Sequence, residues 1–131
     1  MKVYVASKFE EGPYVKKVME SLESAGHTIT HDWTGESSVG KEGDELKQYL
    51  LKCATWDLEG VTSCDVLLLL NHPHGKGMFT EMGIALALRK PVIIVKPEIA
   101  NNIFFHLPEC RSVGTVGEAI ELIQKMTKEA A

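Results

Sequence analysis

Cysteines are few in this chain and long apolar runs are missing, and each absence excludes a class of protein. The 131 residues include three cysteines, Cys53, Cys64 and Cys110, an odd number without a C-x-x-C spacing. That pattern argues against a disulfide framework or a zinc site and fits a reducing compartment, so we expect a cytoplasmic protein. Apolar runs such as Val66–Leu70 are far too short to cross a bilayer, and residues 1–9 lack the long apolar segment of a signal peptide, so no membrane partner is expected.

Basic side chains are fewer than acidic ones. Fourteen Lys and Arg against eighteen Asp and Glu give a net charge of −4 and a pI near 5.7. No basic run is present, so a nucleic acid polymer is not an expected partner, although loops and helix N-termini still bind small anions. The length fits one domain spanning residues 1–131, and 44% hydrophobic with 24% charged residues exclude a disordered chain.

Short β-rich segments alternate with helical segments five times along the chain. The alternation, with nearly all-apolar strands, is typical of a parallel sheet. We therefore predict an α/β fold, one doubly wound (flavodoxin- or Rossmann-like) five-stranded parallel sheet with helices on both faces. Strands are predicted at Lys2–Ala6, Thr28–Trp33, Asp65–Leu70, Pro91–Val95 and Cys110–Gly114, and helices at Gly12–His27, Asp44–Ser63, from Gly77 and from Val116, the last with Thr115 as N-cap. Ligands bind such sheets beyond the carboxyl ends of the strands, here the loops Ser7–Gly12, Trp33–Gly43, Asn71–Gly77 and Lys96–Pro108.

Two motif-like stretches in these loops are weak. Residues Gly35–Glu42, "GESSVGKE", resemble a phosphate-binding loop, but Glu42 stands where a hydroxyl must reach Mg²⁺, so we reject that motif. A lid over a ligand and a plain solvated loop both remain open for this stretch. His72 and His74 lack a third ligand at a motif spacing, so no metal site is expected.

One carboxylate lies inside the first turns of the helix after Gly77. Glu81 shares a helical face with Ile84, Ala85 and Leu88, in a helix that is apolar nearly all round and is therefore buried or covered by a partner subunit. Apolar surroundings raise the pKa of a carboxyl group, whereas a helix N-terminus favours its ionised form. A poorly hydrated carboxylate of this kind suits a nucleophile, and the alternative is a glutamate that only stabilises the first turns.

A second carboxylate, Asp57, interrupts another apolar pattern. Leu46, Leu50, Cys53 and Asp57 follow helical spacing, so Asp57 falls where an apolar residue is expected. If that helix ends at Ser63, Asp57 lies ~10 Å back from its end, toward the ligand edge of the sheet. A helix cap or salt bridge is the alternative role, and spacing alone does not decide whether Asp57 reaches Glu81.

Two stretches resemble the nucleoside 2-deoxyribosyltransferase family. The N-terminal "VYVASKF" is similar to that family's "iYlAGPF" start, and Trp56–Val95, "WDLEGVTSCDVLLLLNHPHGKGMFTEMGIALALRKPVIIV", is similar to its central strand, loop, "ELG" helix and "kPvi" strand. The related 2′-deoxynucleoside 5′-phosphate N-hydrolases share this core and are closer to the chain in their short length.

The resemblance implies roles for three residues. Glu81, in "EMG", falls on the family nucleophile, which attacks C1′ of the sugar and displaces the base to give a glycosyl ester that water or a second base resolves with net retention. Asp57 falls on an Asp that holds the sugar or helps to protonate the leaving base. Tyr4, on the first strand, would hydrogen-bond to the nucleophile and orient it. The resemblance implies no metal and no organic cofactor.

The chain departs from the family pattern in its loops. Ser7 and Lys8 replace the Gly and Pro of "AGP", and Phe9 follows them among the candidate substrate contacts. The transferases carry a base-contacting Asp six residues before the nucleophile, where this chain has Gly75, followed by Lys76 and Gly77.

The loss of the acid at Gly75 and the gain of Lys8 and Lys76 favour a nucleotide substrate over a nucleoside. The alternative is that these loop lysines face only solvent. Trp33 is expected either to stack on the base or to pack the rim of the site.

The combined prediction is an N-glycosidase acting on a nucleoside or its 5′-monophosphate. Base exchange by a transferase and nucleotide binding without catalysis are the alternatives. The resemblance also implies a homodimer or a higher homo-oligomer in which a neighbour closes each site.

Overall fold

The structure, a computed structural model, describes all residues 1–131 and contains one sheet. Its strands are β1 (Lys2–Ala6), β2 (Thr28–Ile29), β3 (Val66–Leu70), β4 (Val92–Val95) and β5 (Cys110–Val113). Its helices are α1 (Gly12–Ser24), α2 (Gly43–Ser63), α3 (Gly77–Ala87) and α4 (Val116–Ala130). All neighbouring strands pair in parallel, in the order β2-β1-β3-β4-β5, which confirms the predicted flavodoxin-like sheet.

The core lies between this sheet and its helices. Every residue of β3 and β4 is buried, as expected for central strands that are covered on both faces. Helix α1 buries its apolar stripe, Val15, Val18, Met19 and Leu22. Helices α1 and α4 are tied together where the Gln124 side chain donates to the Ala25 carbonyl at 3.3 Å, while α2 packs beside α3 on the other face.

Strand β2 is shorter than predicted, because it ends at Ile29 and not at Trp33. Its chain turns away from the edge of the sheet after Thr30, whose hydroxyl donates to the Gly60 carbonyl of α2 at 2.8 Å. The Asp32 carboxylate then accepts the Thr34 backbone N–H at 2.9 Å, which is the hydrogen bond of an Asx turn. These side-chain hydrogen bonds replace backbone hydrogen bonds between strands, so the sequence pattern overestimated the length of β2.

The final helix begins as predicted. The Thr115 hydroxyl accepts the Glu118 backbone N–H at 3.1 Å, which makes Thr115 the N-cap. The Glu118 carboxylate reaches back to the N–H of Gly114 at 3.2 Å, one residue before the position of a regular capping box.

Two further expectations concern the cysteines and membrane-spanning helices. All three cysteines are unpaired. None of the helices combines the length and the apolar character that crossing a membrane requires.

Candidate active site

A cleft of about 480 Å³ opens beyond the carboxyl ends of β1 and β3, where the strand order reverses. This volume is in the range of small-molecule sites. Its lining residues are Ser7, Lys8, Phe9, Glu10, Trp33, Glu36, Asp57, His74, Lys76, Gly77, Met78 and Glu81. The loop after β4, which was expected to contribute, does not line the cleft, because the buried Asn71 amide holds it through the carbonyls of Lys96 at 3.1 Å and Ala100 at 3.0 Å.

Glu81 lies in this cleft on the first turns of α3, directly above Tyr4. Tyr4 is fully buried on β1, and its hydroxyl donates a short hydrogen bond to Glu81 Oε2. The pKa of Glu81 is raised to about 8: burial is the largest cause, the Tyr4 hydrogen bond lowers it, and the charges of Asp57 and Glu36 raise it. Burial and Glu81 together raise the pKa of Tyr4, so Tyr4 remains a hydrogen-bond donor.

Asp57 lines the same cleft, so the fold brings together the two carboxylates that spacing alone could not connect. It projects from α2 between Tyr4 and the chain after β2. The pKa of Asp57 is raised to about 6: burial is the largest cause and the Glu36 carboxylate also raises it, whereas His31 and a Tyr4 hydrogen bond lower it. Glu81 and Asp57 are therefore two coupled carboxyl groups that titrate around neutral pH.

A third carboxylate, Glu36, was not among the residues predicted from the sequence. It enters the cleft from the loop after β2, and its Oε1 lies 2.5 Å from His31 Nε2. The same His31 nitrogen lies 3.5 Å from Asp57 Oδ1. The three donor atoms lie within 4.8 Å of one another, but Glu36 already occupies the His31 nitrogen, so they form a hydrogen-bonded cluster.

Cationic groups gather at the other end of the cleft. Lys8 Nζ lies 4.0 Å from Glu10 Oε2, whereas Lys76 is exposed and has no ion-pair partner. Lys76 is also the N-cap residue of α3 and makes no side-chain cap, so the N–H groups at the start of that helix are left for an anion.

Gly75, which stands where the transferases carry an acid, does not line the cleft. It is buried, and a Cβ atom at this position would lie 2.4 Å from Met78 Sδ. Met78 is itself fully buried. An acidic side chain therefore cannot enter here unless Met78 moves.

Two predicted substrate contacts are already engaged within the protein. The Ser7 hydroxyl donates to the Leu70 carbonyl at 2.9 Å, and the Trp33 indole N–H donates to the Val5 carbonyl at 2.8 Å. Trp33 is only 5% exposed, whereas Phe9 is 55% exposed and stacks on it with ring centroids 6.1 Å apart. Phe9 is thus the aromatic ring that a ligand meets first.

The loop that resembles a phosphate-binding motif is folded onto α2. The Ser37 backbone N–H donates to the Tyr49 hydroxyl at 2.8 Å, and Lys41 Nζ lies 4.3 Å from the centre of the Tyr49 ring. Lys41 thus points toward α2, and the contribution of this loop to the cleft is Glu36. His72 accepts the His74 backbone N–H at 3.0 Å and lies 3.5 Å from Glu11, so its ring is engaged locally.

Comparison with solved structures identifies relatives of this fold. The CMP N-glycosidase of Clostridium botulinum has a TM-score of 0.64 and 17% identity, with 95% of this chain and 98% of that chain covered. A 2-deoxyribosyltransferase from Bacillus psychrosaccharolyticus has a TM-score of 0.60 and 20% identity, with 92% of this chain and 90% of that chain covered. No curated protein sequence gives a significant match.

The family comparison is more specific than these likenesses of fold. The family described as Nucleoside 2-deoxyribosyltransferase matches residues 3–125, which is nearly the whole chain and includes β1, α2 and α3 with their site residues. The chain therefore belongs to the nucleoside 2-deoxyribosyltransferase family of enzymes.

Proposed function

We propose that the protein hydrolyses the N-glycosidic bond of a nucleoside 5′-monophosphate or nucleoside, with Glu81 as nucleophile and Asp57 as acid and base. The observation that carries this proposal is the pair of carboxyl groups in one cleft, Glu81 held by Tyr4 and Asp57 held near the hydrogen-bonded pair of His31 and Glu36. Two carboxyl groups in different environments are what retaining glycoside hydrolysis requires.

In the first step a Glu81 carboxylate oxygen forms a bond to C1′ of the sugar. The C1′–N bond breaks, its electron pair goes to the base nitrogen, and Asp57 delivers a proton to the departing base. The raised pKa of Asp57, about 6, supports this role, because it keeps a protonated fraction near neutral pH. Tyr4 orients the attacking carboxylate through its hydrogen bond.

In the second step a water molecule attacks C1′ of the glycosyl ester. The Asp57 carboxylate takes a proton from that water, the ester bond breaks, and the electron pair returns to Glu81. Two displacements at C1′ give net retention. A second base in place of the water gives base exchange, so the transferase reaction is the alternative outcome of the same intermediate.

A phosphate on the substrate is supported by the cationic end of the cleft. Lys76 has no ion-pair partner, Lys8 faces only Glu10, and the start of α3 presents free N–H groups beside Gly77. A CMP N-glycosidase is also among the relatives of this fold. The replacement of the base-contacting acid by Gly75 is consistent with hydrolysis and favours it over transfer.

The deciding experiment incubates the wild-type protein and Glu81→Ala with a panel of ribo- and deoxynucleosides and their monophosphates, and detects the released base by chromatography. We expect the wild type to cleave at least one monophosphate, Glu81→Ala to lose activity, and azide to restore turnover of Glu81→Ala by replacing the missing carboxylate. Glu121→Ala, the same change at an exposed position of α4, is the matched control. A wild type that releases no base supports binding without catalysis.

Two additions to this experiment separate the remaining alternatives. A free base supplied in excess produces a new nucleoside only if the protein is a transferase. If the phosphate lies at the cationic end, Lys76→Ala raises KM for a monophosphate and leaves KM for the matching nucleoside unchanged. Lys52→Ala, at an exposed position of α2, is its control.

A homodimer or higher homo-oligomer is part of the same proposal. Helix α2 buries only Gly60 and Val61, whereas Leu51 and Leu58, seven residues apart on one face, are 67% and 49% exposed. A second copy that covers this face would bury apolar side chains that the single chain leaves in solvent.

A further inference from the structure

We propose that Glu36 is a positioning residue for Asp57: by occupying His31, it leaves the Asp57 Oδ1 atom without a hydrogen-bond partner, so that Asp57 retains the proton that the leaving base needs. This inference rests on the proposed reaction. It gives a function to Glu36, a carboxylate of the cleft that neither the sequence predictions nor the two-carboxylate mechanism uses.

The first support is the sharing of one nitrogen. His31 Nε2 carries at most one hydrogen, and it lies 2.5 Å from Glu36 Oε1 but 3.5 Å from Asp57 Oδ1. Only the shorter contact is a hydrogen bond, so Asp57 Oδ1 is a buried oxygen atom without a hydrogen-bond partner. An ionised carboxylate is poorly accommodated there, because a buried unpaired acceptor costs about 1–3 kcal/mol and more when charged.

The second support is the close packing of His31. Its ring packs against Trp56 with centroids 6.0 Å apart. Behind it, Gly60 approaches so closely that a Cβ atom there would lie 2.9 Å from His31 Cβ. This packing favours the position in which the imidazole bonds to Glu36, and the negative charge of Glu36 raises the pKa of Asp57.

The charges around Asp57 agree with this assignment. The titratable groups that face it come from β1, the loop after β2, α2 and α3; they are Tyr4, His31, Glu36, Cys53 and Glu81. Among them His31 is the only basic side chain, and Glu36 is the charged group that raises the pKa of Asp57 most. The lysines of the cleft, Lys8 and Lys76, lie at its other end and are not among the groups that shift Asp57.

The test is a double-mutant cycle on base release at pH 7 with a monophosphate that the wild type cleaves. Glu36→Gln removes the negative charge and keeps the side-chain shape. We expect kcat/KM to fall about tenfold, which corresponds to a fall of about one unit in the pKa of Asp57. In the Asp57→Asn background the same change is expected to cause no further loss. Glu42→Gln, an exposed position on the same loop with no side-chain cap bond, is the matched control.

Two further measurements keep a structural effect apart from the proposed one. A substrate analogue whose leaving group departs without a proton should be cleaved equally by the wild type and Glu36→Gln. In the pH profile, the bend assigned to Asp57 should move to lower pH in Glu36→Gln and to higher pH in His31→Gln, because Glu36 raises the pKa of Asp57 and His31 lowers it.

Some outcomes would overturn the inference and leave the proposed function intact. The first is that Glu36→Gln lowers kcat/KM equally in the wild-type and Asp57→Asn backgrounds. The second is that it does not lower kcat/KM in the wild-type background. The third is that the bends of the pH profile move in the same direction in Glu36→Gln and His31→Gln. A wild type that cleaves no substrate overturns the proposed function itself, so the two failures are distinguishable.

Discussion

At the scale of single residues, Glu81 and Asp57 have the same chemical group in two different environments. Glu81 lies on an apolar helix face against a tyrosine hydroxyl, and burial raises its pKa to about 8. Asp57 lies beside the hydrogen-bonded side chains of His31 and Glu36, and its pKa is raised less, to about 6. Both carboxyl groups therefore destabilise the folded state when they ionise, as is common for groups kept for a reaction.

The first prediction concerns stability and pH. Because the folded-state pKa of Glu81 is above the unfolded value of 4.5, the folded protein binds more protons than the unfolded chain between pH 4.5 and 8, and stability falls as pH rises through that window. Glu81→Gln removes this loss, so we expect it to be ~1–3 kcal/mol more stable than the wild type at pH 8 and about equal at pH 5. Urea unfolding at both pH values measures this, with Glu121→Gln as control, and an equal difference at both pH values would contradict it.

The second prediction concerns the pH dependence of kcat/KM. The reaction needs Asp57 protonated and Glu81 ionised, so a bell-shaped profile with bends near pH 6 and pH 8 is expected. Between pH 6 and 8 the loss of the Asp57 proton is offset by the ionisation of Glu81, so the rate falls only above pH 8, where Glu81 is already ionised. In Asp57→Asn this fall should disappear. Initial rates across pH 5–10 check this, and a fall that persists in Asp57→Asn would assign it to another group.

At the scale of the elements, the site depends on how closely α2 approaches β1. Gly60 of α2 has no Cβ, which allows the Tyr4 ring and His31 to pack directly against the helix. Tyr4 in turn holds Glu81 of α3, so one glycine positions parts of both the nucleophile and the Asp57 cluster.

The third prediction follows from this close approach. In Gly60→Ala the new Cβ would lie 2.9 Å from both the Tyr4 ring and His31 Cβ, so these groups must shift. We expect a loss of about 1–3 kcal/mol in stability together with a fall in kcat. Thermal unfolding and base-release rates measure both. Gly83→Ala in α3, where nothing lies within 4 Å, should be neutral or stabilising, and an equal effect of the two changes would contradict the packing argument.

The fourth prediction concerns the loop before α3. Gly75→Asp restores the acid that the transferases carry, but its Cβ would meet the buried Met78 side chain at 2.4 Å. We expect Gly75→Asp alone to lower stability without producing base exchange, whereas Gly75→Asp with Met78→Ala relieves the overlap. Product analysis with a free base present tests this, and efficient exchange by the single variant would contradict it.

At the scale of the whole molecule, the apolar surface is unevenly covered. Strands β3 and β4 are buried throughout, but α2 and the end of α3 leave Leu51, Leu58 and Leu88 about half exposed or more. The second copy proposed above would cover this surface, and α2 also carries Asp57, so assembly and catalysis are expected to be linked.

The fifth prediction tests that linkage. Leu51→Glu places a charge in the proposed interface, so we expect a shift to monomer in light scattering and a loss of kcat. Ile103→Glu is the control, because Ile103 is 77% exposed on a turn next to β5, away from α2. A wild type that is monomeric throughout, or an oligomer unaffected by Leu51→Glu, would contradict the proposed interface.

The architecture of the protein was determined by local sequence patterns. Buried strands read as apolar runs and helices as 3.6-residue repeats, so the parallel sheet, the N-cap at Thr115 and the exceptional position of Glu81 were all predictable from the sequence. Helical spacing also singled out Asp57. Family resemblance added Tyr4 and a role for Asp57, and the hydrogen bond from Tyr4 to Glu81 is present in the structure. These features follow from residues close in sequence or from a motif.

Only the tertiary structure decided the remaining features, because they depend on contacts between residues far apart in the chain or on how a segment packs. Strand β2 ends early since Thr30 bonds to Gly60, and Trp33 is buried since its indole bonds to Val5. Glu36 looked like one more loop glutamate until the fold placed it between His31 and Asp57. Sequence therefore determined where the cleft forms and which carboxylate is exceptional, whereas packing decided what surrounds that carboxylate.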